Sequence, residues 1–128
     1  MKTDLEGRAQ VDALDDLHDQ RRNLLEELAP LKAMHGSFGL YDARRKALLE
    51  AMKVRARMTL STNGGKVTDA IVEAEGHCDP QYVRWLDEQM DDKVQFVKLD
   101  SELDRISELV RNRELSLQIF NSEVKLAR

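Results

Sequence analysis

Seven basic side chains fall within residues 42–66 of a 128-residue chain whose formal net charge is −4. They are Arg44, Arg45, Lys46, Lys53, Arg55, Arg57 and Lys66. Only two acidic residues accompany them, so this segment, here called the basic island, has a net charge of +5. Because the local potential decides where an anion settles, the island indicates an anion-binding surface. The alternative is a solvated helix end, since arginine and lysine are ordinary exposed helix formers.

A glycine turn, "STNGG", lies near the end of the island and is followed by Lys66 and Val67. A nucleotide-binding loop would need G-x-x-x-x-G-K-[ST] after a strand, which this segment lacks. Free backbone N–H groups at such a turn can nevertheless hold one phosphate group. We therefore predict that nucleic acid is bound by Arg44, Lys46, Lys53, Arg55, Arg57 and Lys66. Aromatic stacking partners are missing from the island, which favours salt-sensitive binding with little sequence preference.

The remaining reactive side chains do not form a catalytic or metal-binding pattern. His77 and Cys78 are adjacent, but zinc sites usually take four ligands in two separated pairs, and no second pair exists. We interpret both as linker residues. Glu73, Glu75 and Asp79 oppose thiolate formation at Cys78, and no base can be assigned to it. The sequence predicts a protein that is not an enzyme and holds no metal or cofactor.

Composition predicts that long helices position these residues. The chain is 41% hydrophobic, 34% charged and 5% aromatic, with only two prolines and six glycines to punctuate it. Such a composition favours long amphipathic helices over many short strands and turns. We predict an all-α fold with a single helical domain over residues 1–128. Its helices are expected at about residues 4–35, 42–60, 69–75 and 80–127.

Local signals give the expected start and end of these helices. Heptad spacing in the first helix joins Leu14, Leu17, Arg21, Leu24, Leu28 and Leu31. Pro30 lies inside that pattern and predicts a kink or break. Asp42, Thr68 and Asp79 are the predicted N-caps of the second, third and fourth helices. Gly76 is expected to end the third helix.

The fourth helix has the strongest pattern in the sequence, an apolar seam at alternating intervals of three and four residues. It comprises Phe96, Leu99, Leu103, Ile106, Val110, Arg113, Leu117, Phe120, Val124 and Ala127. At about 1.5 Å per residue the helix would extend roughly 70 Å, too long to bury its seam on two shorter helices. We therefore predict an elongated helical bundle that forms a homo-oligomer. The expected interface comprises Phe96, Leu99, Leu103, Ile106, Val110, Leu117 and Phe120.

Two arginines interrupt the apolar seams of the first and fourth helices. Arg21 and Arg113 are interpreted as side chains whose stems follow the seam while their guanidinium groups reach water. The alternative is that they set register or oligomeric state.

One cysteine excludes an intramolecular disulfide framework, and no apolar run approaches the ~18 residues of a membrane span. We expect a soluble cytoplasmic protein that does not bind membranes.

The architecture over about residues 40–120 resembles the UvsY family of phage recombination mediators. The likeness comprises the step Arg55-Ala56-Arg57-Met58, the turn "STNGG", and a long C-terminal helix with Trp85 near its start. The resemblance implies an oligomer that binds single-stranded DNA and helps to load a RecA-type recombinase. It assigns DNA binding to Arg55 and Arg57. It also implies a recombinase or single-strand-binding protein as partner and, for a phage-encoded protein, the host cytoplasm as location.

Two other classes of protein fit the same residues. A helical scaffold or assembly protein would use the heptad seam to bind a partner helix, with its charges serving solubility. An inhibitor of a nucleic-acid enzyme would use residues 67–104, with a net charge of −8, as a nucleic-acid mimic. Mimicry predicts loss of binding when the acids are neutralised, whereas the mediator hypothesis predicts loss when Arg55 and Arg57 are replaced.

Overall fold

The computed structural model describes the backbone of residues 2–127 and the side chains of residues 5–127. Four helices make about 90% of the chain helical, which confirms the predicted all-α class and the long C-terminal helix. They are α1 (Lys2–His35), α2 (Tyr41–Thr62), α3 (Asp69–Cys78) and α4 (Pro80–Ala127). Within the described part of the chain, no helix is both long and apolar enough to cross a membrane.

The chain divides into two compact units, to which α1 and α4 both contribute. Unit 1 combines Met1–Pro30 with Val97–Arg128, and unit 2 comprises Leu31–Phe96. Unit 1 is built from an antiparallel helix pair. Arg21 Nε donates a hydrogen bond to Ser107 Oγ at 3.2 Å, and His18 Nε2 lies 3.7 Å from Glu114 Oε1. The residue numbers rise along α1 as they fall along α4, so the two helices run in opposite directions.

This pairing places the leucine seam of α1 on the heptad seam of α4. Leu28, Ile106 and Val110 are buried in unit 1, and Ile106 is only 1% exposed. Ile106 and Val110, which the sequence analysis assigned to an oligomer interface, are therefore core residues of the single chain. The other five expected interface residues are partly exposed. Because α1 covers the central part of this seam, the burial of Ile106 and Val110 does not require a second copy, and the homo-oligomer stays a prediction.

Two local signals were wrong, and one of the two outcomes expected at Pro30 is excluded. Helix α1 continues through Pro30 to His35, so it is not broken there, and a kink stays a prediction. Helix α2 begins at Tyr41 without a side-chain cap, so Asp42 lies inside its first turn. Helix α3 does not end at Gly76 but continues to Cys78. His77 and Cys78 were interpreted as linker residues, which was also wrong, because both lie in the last turn of α3.

Unit 2 is built around α2, which packs on α4 on one side and α3 on the other. Leu49 and Met52 of α2 form a buried cluster with Tyr82 of α4. Gly76 of α3 is also buried, and a Cβ atom there would lie 2.9 Å from Lys53 Cγ. Glycine at this position therefore lets α3 approach α2 closely.

The predicted N-caps of α3 and α4 are confirmed. Thr68 Oγ1 accepts a hydrogen bond from the Ile71 backbone N–H at 3.3 Å. Asp79 Oδ1 accepts one from the Gln81 backbone N–H at 2.8 Å. Gly64, in the turn after α2, has a φ of 73° and is the one residue in the left-handed region among residues 2–127. The hydrogen bonds to Thr68 and Asp79 satisfy backbone N–H groups that the start of a helix would otherwise leave unpaired.

Both arginines that interrupt the seams are exposed. Arg21 donates from its guanidinium group to Ser107 across the helix pair, and Arg113 lies on the surface of α4. Their exposure agrees with stems that follow the seam while the charge reaches water.

Candidate nucleic-acid interface

Five of the six predicted contacts lie on two opposite flanks of helix α2, while Arg45 lies between these flanks, on the side that faces Tyr82. At about 100° per residue, Arg44 and Arg55 share one flank, while Lys46, Lys53 and Arg57 share the other. The buried face of the helix lies between them. The contacts described below place the first flank beside α4 and the second beside α3.

The flank beside α3 is partly neutralised by acidic residues. Lys53 Nζ lies 3.2 Å from Glu50 Oε1 and 3.4 Å from Glu73 Oε1, and its side chain is only 21% exposed. The carboxylate of Glu50, followed by that of Glu73, raises the pKa of Lys53 above its usual value. Arg57 Nη2 lies 3.2 Å from Asp69 Oδ1 at the start of α3. Both predicted nucleic-acid contacts therefore connect α2 to its neighbour.

Arg55 is also engaged within the chain. Its Nη2 atom lies 2.7 Å from Asp79 Oδ2 and donates to Gln81 Oε1 at 3.3 Å. The Arg55 guanidinium group is the main cause of a lowered pKa at Asp79. A phosphate group that approached Arg55 would have to compete with this carboxylate. The Arg55–Asp79 contact thus ties the last part of α2 to the start of α4.

The other three predicted contacts are exposed and make no ion pair within residues 5–127. They are Arg44, Lys46 and Lys66. Arg44 lies at a concave surface, a cleft of about 470 Å³ between α2 and α4. We call it the Arg44–Arg84 cleft, and its walls are Arg44, Ala47, Leu48, Gln81, Arg84, Trp85 and Glu88.

An aromatic side chain lines this cleft beside the two arginines. Trp85 is half-buried and stacks on Tyr41, with ring centroids 5.5 Å apart and planes inclined by 12°. The stack packs the indole of α4 against a side chain of α2. The island itself has no such partner, and α4 supplies it only once the chain is folded.

The chemistry of the cleft suits a strand with phosphates and bases. Arg44 and Arg84 are exposed guanidinium groups, and such groups bind phosphate oxygens through two parallel hydrogen bonds. The indole of Trp85 offers a surface on which a base can stack. Glu88 is the single acidic residue in the walls and opposes anion binding there.

Sequence reasoning missed Arg84 and Trp85 as partners of Arg44. Both lie about 40 residues away and belong to a different helix, so no local spacing connects them to the island. A weak signal was present, since Trp85 follows the N-cap Asp79 within two turns and is the only tryptophan of the chain.

The remaining sequence candidates do not converge on a site. Cys78 is exposed, and His77 Nε2 lies 3.6 Å from Glu73 Oε1 on the same helix. No three histidine, cysteine, aspartate or glutamate side chains in the described residues are placed to hold a metal ion. Lys66 lies in the exposed turn between α2 and α3, apart from the cleft.

Comparison of the chain with known protein families, curated proteins and solved structures gave no significant match.

Proposed function

We propose that the protein binds single-stranded nucleic acid without catalysing a reaction, and that the strand enters the Arg44–Arg84 cleft. The observation that carries this proposal is the juxtaposition of two exposed arginines with Trp85 in one concave surface. Arg44 and Arg84 would bind successive phosphates, while the indole would stack on a base. Binding of this kind is salt-sensitive and has little sequence preference.

The more specific proposal is a recombination mediator that holds a DNA strand extended for a RecA-type recombinase. The resemblance of Arg55-Ala56-Arg57-Met58 and of the long C-terminal helix to the UvsY family supports it. In this chain, however, Arg55 and Arg57 would act mainly by positioning α2 against its neighbours, because each is held by a carboxylate. An oligomer would present several clefts to one strand and gain affinity through multivalency.

Fluorescence anisotropy of a labelled single-stranded DNA oligonucleotide tests the proposal. We expect Arg44→Ala/Arg84→Ala to weaken binding at low salt by about tenfold or more, because two charge-assisted contacts are lost. The slope of log K against log salt concentration should become shallower by about 1.4, which is ~0.7 for each lost phosphate contact.

Arg8→Ala/Arg111→Ala is the matched control, since it removes the same charge from two exposed arginines of unit 1. An equal loss of DNA affinity in both variants would mean that net charge alone causes the loss, which would contradict a binding site in the cleft. Absence of binding at low salt would exclude nucleic-acid binding altogether. If Arg44→Ala/Arg84→Ala still bound DNA but no longer bound a RecA-type recombinase, the cleft would instead be a docking site for protein.

A scaffold or assembly protein is the second candidate, and one exposed face of α2 favours it. Ala47, Ala51, Val54 and Met58 follow each other at intervals of four, three and four residues and point away from the buried face. Val54 and Met58 are large apolar side chains, each more than half exposed. The scaffold hypothesis replaces the mediator hypothesis if the wild type does not bind DNA and if Met58→Asp abolishes its assembly or its binding to a partner protein. Loss of binding on neutralising residues 67–104 would instead favour the nucleic-acid mimic.

A further inference from the structure

The turn between α1 and α2 presents a phenylalanine to solvent in a fixed conformation. Phe38 is fully exposed, although aromatic side chains of this size normally bury much of their surface. Backbone hydrogen bonds hold the turn around it, including Leu40 N–H to Ala33 O at 3.0 Å and Gly39 N–H to Gly36 O at 2.9 Å.

Both glycines of this turn are required by close backbone contacts. A Cβ atom on Gly36 would lie 2.5 Å from Lys32 O, and one on Gly39 would lie 2.2 Å from Met34 O. No other residue fits without moving the backbone. These contacts and the backbone hydrogen bonds define the backbone of the turn that carries Phe38.

An open cavity of about 580 Å³ lies beside the same turn. Its walls are Met34, His35, Gly36, Ser37, Gly39, Tyr41, Asp42, Leu86, Gln89, Met90 and Lys93. This volume falls within the ~300–1,000 Å³ of pockets that hold whole small ligands, so a phenyl group fits. Phe38 does not contribute to the walls, although the residues on either side of it do. Leu40 and Met90 are also exposed and extend the apolar surface around the opening.

The cavity walls carry one carboxylate and one ammonium group, together with the imidazole of His35. Asp42 lies in the first turn of α2, and Lys93 of α4 donates to His35 O at 3.4 Å. Under a two-fold axis each of these charges can face its opposite on the other copy. A two-fold interface brings the same patch of both copies together, so the patch must be complementary to itself. A patch that has both a protruding side chain and a cavity meets this requirement, as does a patch that has both charges.

We propose that this patch is a self-association surface on which two copies of the chain exchange Phe38 reciprocally. Each Phe38 enters the cavity of the other copy, and Asp42 of each copy faces Lys93 of the other. The walls of the cavity share no residue with the Arg44–Arg84 cleft, although the Tyr41–Trp85 stack joins the two, and Lys93 Nζ lies 5.5 Å from the ring centroid of Phe96 at the start of the heptad seam. The inference uses neither Arg44 nor Arg84, so it does not depend on the proposed function.

Sedimentation equilibrium of the full chain tests this inference through two kinds of variant. We expect Phe38→Ser to raise the dissociation constant for self-association about thirtyfold or more, as for a buried aromatic hot spot. Leu126→Ser replaces another exposed apolar side chain, in unit 1, and should leave that constant unchanged. Circular dichroism should find both variants as helical as the wild type, since neither side chain is part of a core.

Charge reversal separates contacts between copies from contacts within one chain. We expect Asp42→Lys and Lys93→Asp each to weaken self-association, because like charges then meet across the two-fold axis. An equimolar mixture of the two variants should associate again, since both crossed pairs are then of opposite sign. The inference is overturned if the wild type stays monomeric at all concentrations, if Phe38→Ser associates like the wild type, or if the mixture behaves like the separate variants.

Discussion

At the scale of single residues, Asp79 shows how one carboxylate serves two elements. Its Oδ1 atom caps α4 through the Gln81 N–H, while its Oδ2 atom pairs with Arg55 of α2. Both contacts favour the ionised form, and the Arg55 guanidinium group contributes most to lowering the pKa of Asp79 below its usual value of 3.8. The Asp79 side chain is 17% exposed and that of Arg55 is 52% exposed, so solvent reaches the pair mainly from the arginine side.

We expect the stability conferred by the Asp79 charge to depend on pH in the acid range. Because the pKa is lowered on folding, the stabilisation is fully present above 3.8 and is lost as pH falls through the lower folded value. Asp79→Asn keeps a capping side chain but removes the charge. Thermal unfolding should therefore find the variant a few degrees less stable at neutral pH, with the difference vanishing in strong acid.

Asp69→Asn is the control for this experiment, since that carboxylate also pairs with an arginine but is 94% exposed. We expect it to change the unfolding temperature much less, as is usual for an exposed ion pair. A difference between wild type and Asp79→Asn that persists unchanged in strong acid would contradict the assignment of the effect to the Asp79 charge.

At the scale of helices, the close approach of α3 to α2 positions the end of the basic island. Gly76 provides the space for this approach, and Val72 of the same helix is buried. The ion pairs Lys53–Glu73 and Arg57–Asp69 connect the same two helices at their surface. Packing and charge thus engage Lys53 and Arg57 of the second flank of α2 with α3.

We expect Gly76→Val to lower the free energy of unfolding by about 1–3 kcal/mol, because the larger side chain overpacks the contact with Lys53. Ala74→Val places the same side chain on the exposed face of α3 and should cost about 0.5 kcal/mol or less. Chemical denaturation measures both values. Equal losses in the two variants would mean that the helix preference of valine, and not the α2–α3 contact, sets the cost.

At the scale of the whole molecule, the chain has two compact units, each with its own buried residues. Ile106 lies in the core of unit 1, whereas Leu49, Met52 and Tyr82 form the cluster of unit 2. Since the Arg44–Arg84 cleft and the Phe38 patch both belong to unit 2, the two proposals concern that unit alone. Unit 1 instead buries the central part of the heptad seam.

We expect Ile106→Ala to destabilise unit 1 selectively, by about 2–5 kcal/mol, because it leaves a cavity in a nearly inaccessible site. Hydrogen exchange should accelerate in residues 5–30 and 97–127 before it accelerates in residues 31–96. Leu109→Ala, one position from the buried Val110 but on the exposed side of α4, should have little effect. Equal acceleration throughout the chain would mean that both units unfold in one cooperative step.

Several features were predictable from the sequence because they depend on residues close together in the chain. The class of fold, the four helices and the caps at Thr68 and Asp79 follow from heptad spacing and from side chains that bond backbone groups two or three residues away. Such signals fail where a contact between distant residues outweighs them, as at Gly76, which packs against Lys53 of α2.

The sequence by itself thus determined that this protein is helical, where its helices lie, and that its cations are concentrated in α2. Only the tertiary structure decided which of those cations are engaged, because Glu73, Asp69 and Asp79 reach their partners from other helices. It also placed Arg84 and Trp85 beside Arg44, and α1 over the seam of α4. The physical reason is that charge pairing and burial depend on which helix faces meet, and that choice is made by packing across the whole chain.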